Sequence, residues 1–181
     1  FSYKSVKLTA DLDMSGYLWT PIGVLSYNNG SKAFSGIFDG QGHSISGLFE
    51  NELTTEAENA GAGLFALNEG TIQSLTVKNS LIASDYNVAI AAAMNMGTMD
   101  DVLVKNSSVF AEYYAGGITA VNYTTVKNCG VDAKIVDSYA DEACGGMIAS
   151  TNNDGATIQN CWSLGSIKGD CIGGITGENA G

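Results

Sequence analysis

Ala66-Leu67-Asn68-Glu69-Gly70-Thr71-Ile72-Gln73-Ser74-Leu75-Thr76-Val77-Lys78-Asn79 aligns without a gap on Ala93-Met94-Asn95-Met96-Gly97-Thr98-Met99-Asp100-Asp101-Val102-Leu103-Val104-Lys105-Asn106. The offset is 27 residues, and a fixed period of roughly 20 to 50 residues points to a stacked repeat before any helix or strand is assigned. A further 27 residues reaches Ala120-Val121-Asn122, then Val126, Cys129 and Val131. A fourth copy reads from Gly146-Met147-Ile148 to Ile158-Gln159-Asn160-Cys161-Trp162, with about three extra residues in Asn152-Asn153-Asp154-Gly155, and a fifth begins at Gly174-Ile175-Thr176. Backwards, Phe38 and Ile45 sit 27 residues before Phe65 and Ile72, so the repeat covers the chain from about residue 34.

Within each copy the apolar residues recur at strand-like spacing (Ile72, Leu75, Val77, then Leu81 or Ile82), and Gly or Asn punctuates them. No long 3.6-residue stripe is present. The Ala-rich window Val88–Met96 is in register with the Gly-Leu-Phe-Ala and Gly-Ile-Thr-Ala segments of other copies and is read as strand against its propensity. A unit of about three short strands cannot bury its apolar face alone. It can do so when successive units stack at the ~4.8 Å strand spacing and equivalent side chains form ladders. The ladders read from the repeat are Leu64–Ala91–Ile118–Met147–Ile175, Ile72–Met99–Val126–Ile158 and Leu75–Val102–Cys129–Cys161, with a turn ladder of Asn68, Asn95, Asn122 and Asn179. The expected fold is all-β, a parallel β-helix.

The blocks Gly63-Leu64-Phe65-Ala66, Gly116-Gly117-Ile118-Thr119-Ala120, Gly145-Gly146-Met147-Ile148-Ala149 and Gly173-Gly174-Ile175-Thr176-Gly177, with Asn128-Cys129-Gly130 and Asn160-Cys161-Trp162, resemble the GLUG-motif repeats of bacterial surface proteins. The opening from Leu8 to Gly16, then Trp19-Thr20-Pro21-Ile22-Gly23, then Phe34 to Leu48, is similar to the stretch that leads into such repeats. The pattern departs at Ile90-Ala91-Ala92-Ala93 and at Thr124, where Gly is missing. Such repeats occur in adhesins and in non-catalytic regions of immunoglobulin A-cleaving metallopeptidases. The resemblance therefore implies a right-handed β-solenoid of about six coils within a larger secreted or wall-attached protein, which would account for the missing starting Met and the end at Gly181. Residues 1–30 are expected to cap the stack, pairing antiparallel locally, with the bulky Trp19 and Pro21 closing the core, and residues 31–181 to carry the repeats.

Composition narrows the function. The 181 residues carry eight Lys, no Arg, one His and nineteen Asp or Glu, for a net charge of −11 and a pI near 4.2. Nucleic acid and anionic lipid are repelled at long range. Absence of Arg removes the bidentate clamp for phosphate and carboxylate, and one His leaves little from which to build an imidazole-based mechanism. No apolar run approaches the ~20 residues of a spanning helix, and the first residues lack the order of a signal peptide, so the chain reads as soluble, without membrane insertion.

Few residues invite chemistry. His43 lies four positions from Asp39 but between Gly turns, and is expected to be structural; the His-Glu-x-x-His helix of the peptidases is missing. Asp100-Asp101, Asp137, Asp141-Glu142 and Asp154 supply carboxylates for a β-helix glycosidase or lyase, but in a strand Asp100 and Asp101 would face opposite ways. The acidic stretch Glu50-Asn51-Glu52 to Glu56-Ala57-Glu58 reads as a solvated loop without tight calcium spacing. Four Cys allow two disulfides; the resemblance makes Cys129 and Cys161 small core residues with free thiols, while Cys144 and Cys171 fall one residue out of register with the Gly pairs that follow them. No metal site or cofactor is expected. Asp85-Tyr86 and Glu112-Tyr113 repeat at 27 residues, and Ser138-Tyr139 follows with a one-residue slip. Facing outward, this ladder would offer aromatic faces beside carboxylates to sugar rings; facing inward, it would rim the core. The expected function is a non-catalytic cell-surface adhesion module whose partners are a host glycan or protein and the flanking domains of its parent. A carbohydrate-active enzyme fragment and a plain stalk are the alternatives.

Overall fold

The computed structural model describes residues 4–26, 30–51, 60–137 and 144–181. Among them every secondary-structure element is a strand, and the strands form three sheets in parallel pairing. The largest contains Thr71–Lys78, Thr98–Ala111, Gly130–Asp137 and Trp162–Lys168. The second stacks Gly61–Ala62, Asn87–Ala89, Tyr114–Gly116, Cys144–Gly146 and Cys171–Gly173. The third stacks Phe65–Asn68, Ala92–Asn95, Thr119–Asn122, Ala149–Asn152 and Thr176–Asn179. Each strand therefore pairs with its equivalent in the next repeat, a solenoid-like arrangement in which one interior is shared by all units.

That interior holds two of the three expected core ladders as read. Ile72, Met99 and Val126 are paired in register and fully buried, with Phe38 before them and the half-buried Ile158 after. Leu75, Val102 and Cys129 are likewise enclosed. The step from Ile72 to Leu75 is three residues, which simple alternation forbids. Left-handed residues at Ser74, Asp101, Asn128 and Asn160, with φ between 49° and 56°, turn the strand at that step in four successive units. For the same reason Asp100 and Asp101 do not straddle the sheet: neither enters the core, and Asp100 instead binds Lys127 at 3.1 Å and accepts from Asn128 at 2.8 Å.

The turn ladder is longer than expected. Asn68, Asn95, Asn122, Asn152 and Asn179 pass hydrogen bonds from each Nδ2 to the next Oδ1 at 2.8, 2.9, 2.8 and 2.9 Å. Asn152 was missed because the fourth unit is shifted. Gly117 lies opposite Met147, and Ile118 bonds Ile148, which in turn bonds Ile175. The core ladder is therefore Leu64–Ala91–Ile118–Ile148–Ile175, with Met147 standing where Gly63, Gly117 and Gly174 stand in three other units and Ile90 in the second. The insertion responsible falls mostly between Asp137, which pairs with Ala111, and Cys144, which pairs with Tyr114; only part lies between Asn152 and Thr157. With that shift applied, Cys144 and Cys171 are direct backbone partners, not one residue apart.

The period also lengthens toward the start. Phe38 pairs with Ile72 and Ile45 with Val77, so their 27-residue match to Phe65 and Ile72 is not the register. Residues Ser5–Lys7 and Leu12–Asp13 add a further parallel layer on Ile37–Asp39 and Ser44–Ser46, and among the described residues antiparallel pairing is confined to the Val24–Lys32 bridge. Trp19 packs against the core and donates from Nε1 to the Gly63 carbonyl at 3.0 Å. Glu50 is not solvated: it is buried, and its carboxylate accepts the Gly63 N–H at 3.0 Å.

Candidate functional site

Two small apolar clusters lie apart from the main core. Leu25, Ala60, Ala66 and Leu67 form one, with Tyr86 and Met94 packed on it. Ala89, Ala120 and Val121 form the other, with Met94 and Tyr114. Ala89 belongs to the second sheet and Ala120 to the third, so the outer faces of these sheets meet at a re-entrant angle. Glycine permits the bend: a Cβ at Gly116 would stand 1.8 Å from the Thr119 carbonyl oxygen. A cleft of about 280 Å³ runs along this angle across several repeats, lined by Met94, Tyr114, Val121, Tyr123, Asn153 and Glu178 among others. Met94, Val121, Thr151 and Glu178 form its floor as one in-register ladder, begun by Leu67 outside the cleft, that grades from apolar to acidic.

The expected tyrosine ladder stands beside it. Tyr86 and Tyr113 are stacked with ring centroids 5.1 Å apart and planes within 6° of parallel. Their backbones are held in register, because Glu112 and Tyr113 both donate to the Asp85 carbonyl and Tyr114 donates to that of Tyr86. Tyr86 is half-buried and Tyr113 is 39% exposed, so the stack reaches solvent. Asp85 is buried and does not face outward with the tyrosines, and Glu112 is half-buried. Tyr139 lies outside the described residues. Tyr114 and Tyr123 were missed as site residues, although Leu67, Met94 and Val121 stand 27 residues apart and announce an outward apolar stripe. What hid them is that a sheet's outer face becomes a cleft only when a second sheet turns toward it.

Elsewhere the carboxylates serve local structure. His43 bonds Asp11 at 3.4 Å, not Asp39, and Asp39 accepts the Gln41 N–H at 2.9 Å. The backbone hydrogen bond from the Ser44 N–H, at 2.9 Å, holds Asp11 below the usual carboxylate range, and backbone and side-chain bonds from Gln41 do the same for Asp39. Among the described residues no three of His, Cys, Asp and Glu gather as a metal-binding group.

No family model and no curated protein matches the chain. A solved structure does. It is the crystal structure of a "putative immunoglobulin A1 protease" from Bacteroides ovatus, with a TM-score of 0.82 and 22% identity over 99% of this chain and 57% of that one. At that identity the likeness is one of fold, and this chain spans little more than half the length of its neighbour.

Proposed function

We propose that the chain is a non-catalytic ligand-presenting module of a bacterial cell-surface protein, a right-handed GLUG-type solenoid of about six coils that binds a host glycan along the cleft. The observation that carries this reading is the partly exposed Tyr86–Tyr113 stack together with a cleft that Tyr114 and Tyr123 line. Sugar rings pack their apolar faces on aromatic rings and direct hydroxyls to groups such as Asn153 and Glu178. An extended chain of sugars suits a site that runs along the stacking axis. The parallel crossovers favour right-handedness on general grounds. The fold neighbour, a protein named for immunoglobulin A1 cleavage, supports a secreted setting and, as a second reading, a host-protein ligand. Against an enzyme stands the chemistry of the cleft: among the described residues Glu178 is the carboxylate that lines it, where glycoside hydrolysis uses two facing each other. The first layer, residues 4–26, acts as the cap in this reading.

The test is a glycan array of the purified chain, with and without calcium, beside Tyr113→Ala and Tyr123→Ala variants whose folding is checked by circular dichroism. Specific binding lost in a folded variant supports a glycan site in the cleft. Binding that survives both variants, or none to any glycan, overturns it and leaves the protein-directed reading.

A further inference from the structure

We propose that Cys129 and Cys161 form a redox pair that closes as a disulfide between adjacent repeats in an oxidising compartment, stapling the fourth copy of the repeat to the third. The two residues occupy one ladder position. They are flanked by the in-register pairs Lys127–Gln159 and Gly130–Trp162, and the Cys129 carbonyl accepts the Trp162 N–H at 3.1 Å. In-register parallel neighbours stand about 4.8 Å apart, inside the Cα separation of roughly 4.4–6.8 Å that a disulfide spans.

The side chains point alike. Cys129 Sγ lies 3.1 Å from the Lys127 carbonyl oxygen and Cys161 Sγ lies 3.2 Å from that of Gln159, so each thiol folds back over its own strand in the same way. Cys129 is fully buried; Cys161 is half-buried and packs on the same core. Both are free thiols in the structure. The Cys129 thiol beside it favours the Cys161 thiolate and lowers that group to about 7, while Cys161 and burial together raise Cys129. The more accessible sulfur is thus also the one that ionises first.

The chemistry balances with a disulfide oxidant such as oxidised glutathione. The Cys161 thiolate attacks it, forming a mixed disulfide and releasing one glutathione thiolate. Cys129 then gives up its proton and attacks the Cys161 sulfur, releasing the second. Two protein thiols are oxidised to one disulfide, and one oxidised glutathione is reduced to two thiols.

The test uses the whole chain, reduced and then equilibrated with oxidised glutathione, with remaining thiols alkylated before peptide mapping. The expected result is a mass lower by two hydrogens, a Cys129–Cys161 linked peptide, and a thermal midpoint higher by several degrees than the reduced form, on the order expected for closing a loop of this length. The first step should accelerate as pH rises through about 7 and level off above it. Cys161→Ser should abolish the linked peptide while Cys129 stays alkylatable once unfolded. Full alkylation of Cys129 and Cys161 after oxidation, a lasting glutathione adduct on Cys161, or linkage of either to Cys144 or Cys171 overturns the proposal. These readouts are independent of ligand binding, so they stand or fall apart from the glycan reading.

Discussion

The middle units and the final unit spell nearly the same repeat and bury it very differently. Ile118 is fully buried, whereas Ile175, two steps along the same ladder, is 37% exposed. Val126, Cys129 and Ile135 are fully enclosed, while Ile158, Cys161 and Ile167 are half-buried. Trp162, Leu164 and Ile172 are exposed on the last layer. Burial in this fold is thus a property of having a neighbour on both sides, and residue type alone does not confer it. Stability follows the same nearest-neighbour rule.

The sharpest break of that comparison is truncation along the core ladder. Ile118→Ala should cost about 3–4 kcal/mol in chemical denaturation, from lost burial and a cavity that stacked neighbours cannot fill, while Ile175→Ala should cost under about 1. Close behind comes backbone crowding. A Cβ at Gly117 would meet the Met147 carbonyl oxygen at 2.2 Å, whereas one at the equivalent Gly174 meets nothing within 4 Å. Gly117→Ala should therefore lose about 2–3 kcal/mol and Gly174→Ala stay within about 0.5, read from denaturation midpoints. Equal losses at the two glycines would mean that the final unit is covered in solution.

The asparagine ladder offers a finer test. Asn95→Ala removes the acceptor of Asn68 and the donor to Asn122 inside a dry interior and should cost about 2 kcal/mol; Asn179→Ala, at the exposed end, should cost less than about 1. The smallest effect concerns Asp100. Its hydrogen bond from Asn128, with Lys127 adding charge, holds it below its ordinary 3.8. A depressed carboxylate contributes stability that is complete above the ordinary value and is lost as pH falls through the lowered one. Asp100→Asn should then cost a few tenths of a kcal/mol at neutral pH and nothing once Asp100 is protonated, measured by thermal melts across that range.

Legibility differed by residue. The ladders Ile72–Met99–Val126–Ile158 and Leu75–Val102–Cys129–Cys161 were readable because a stacked repeat makes spacing in sequence equal spacing in space. The slip at Ile148, and with it Asn152 and the Cys144–Cys171 pairing, was not, because an insertion between strands leaves no mark on which side of it the register changes. The tyrosine stack was half legible: Tyr86 and Tyr113 do lie together, but burial of Asp85 could not be read from an alternation that a turn interrupts.

Period, strand chemistry and acidic charge came from the chain itself, since each depends only on which residues recur and how often. Two things came only from the folded arrangement: the left-handed residues that admit a three-residue step within the largest sheet, and the re-entrant cleft with Tyr114 and Tyr123 between the other two. The cleft requires two sheets to meet at a particular angle, and an angle between sheets is a sum of small steric choices at glycines and bends that no single repeat encodes.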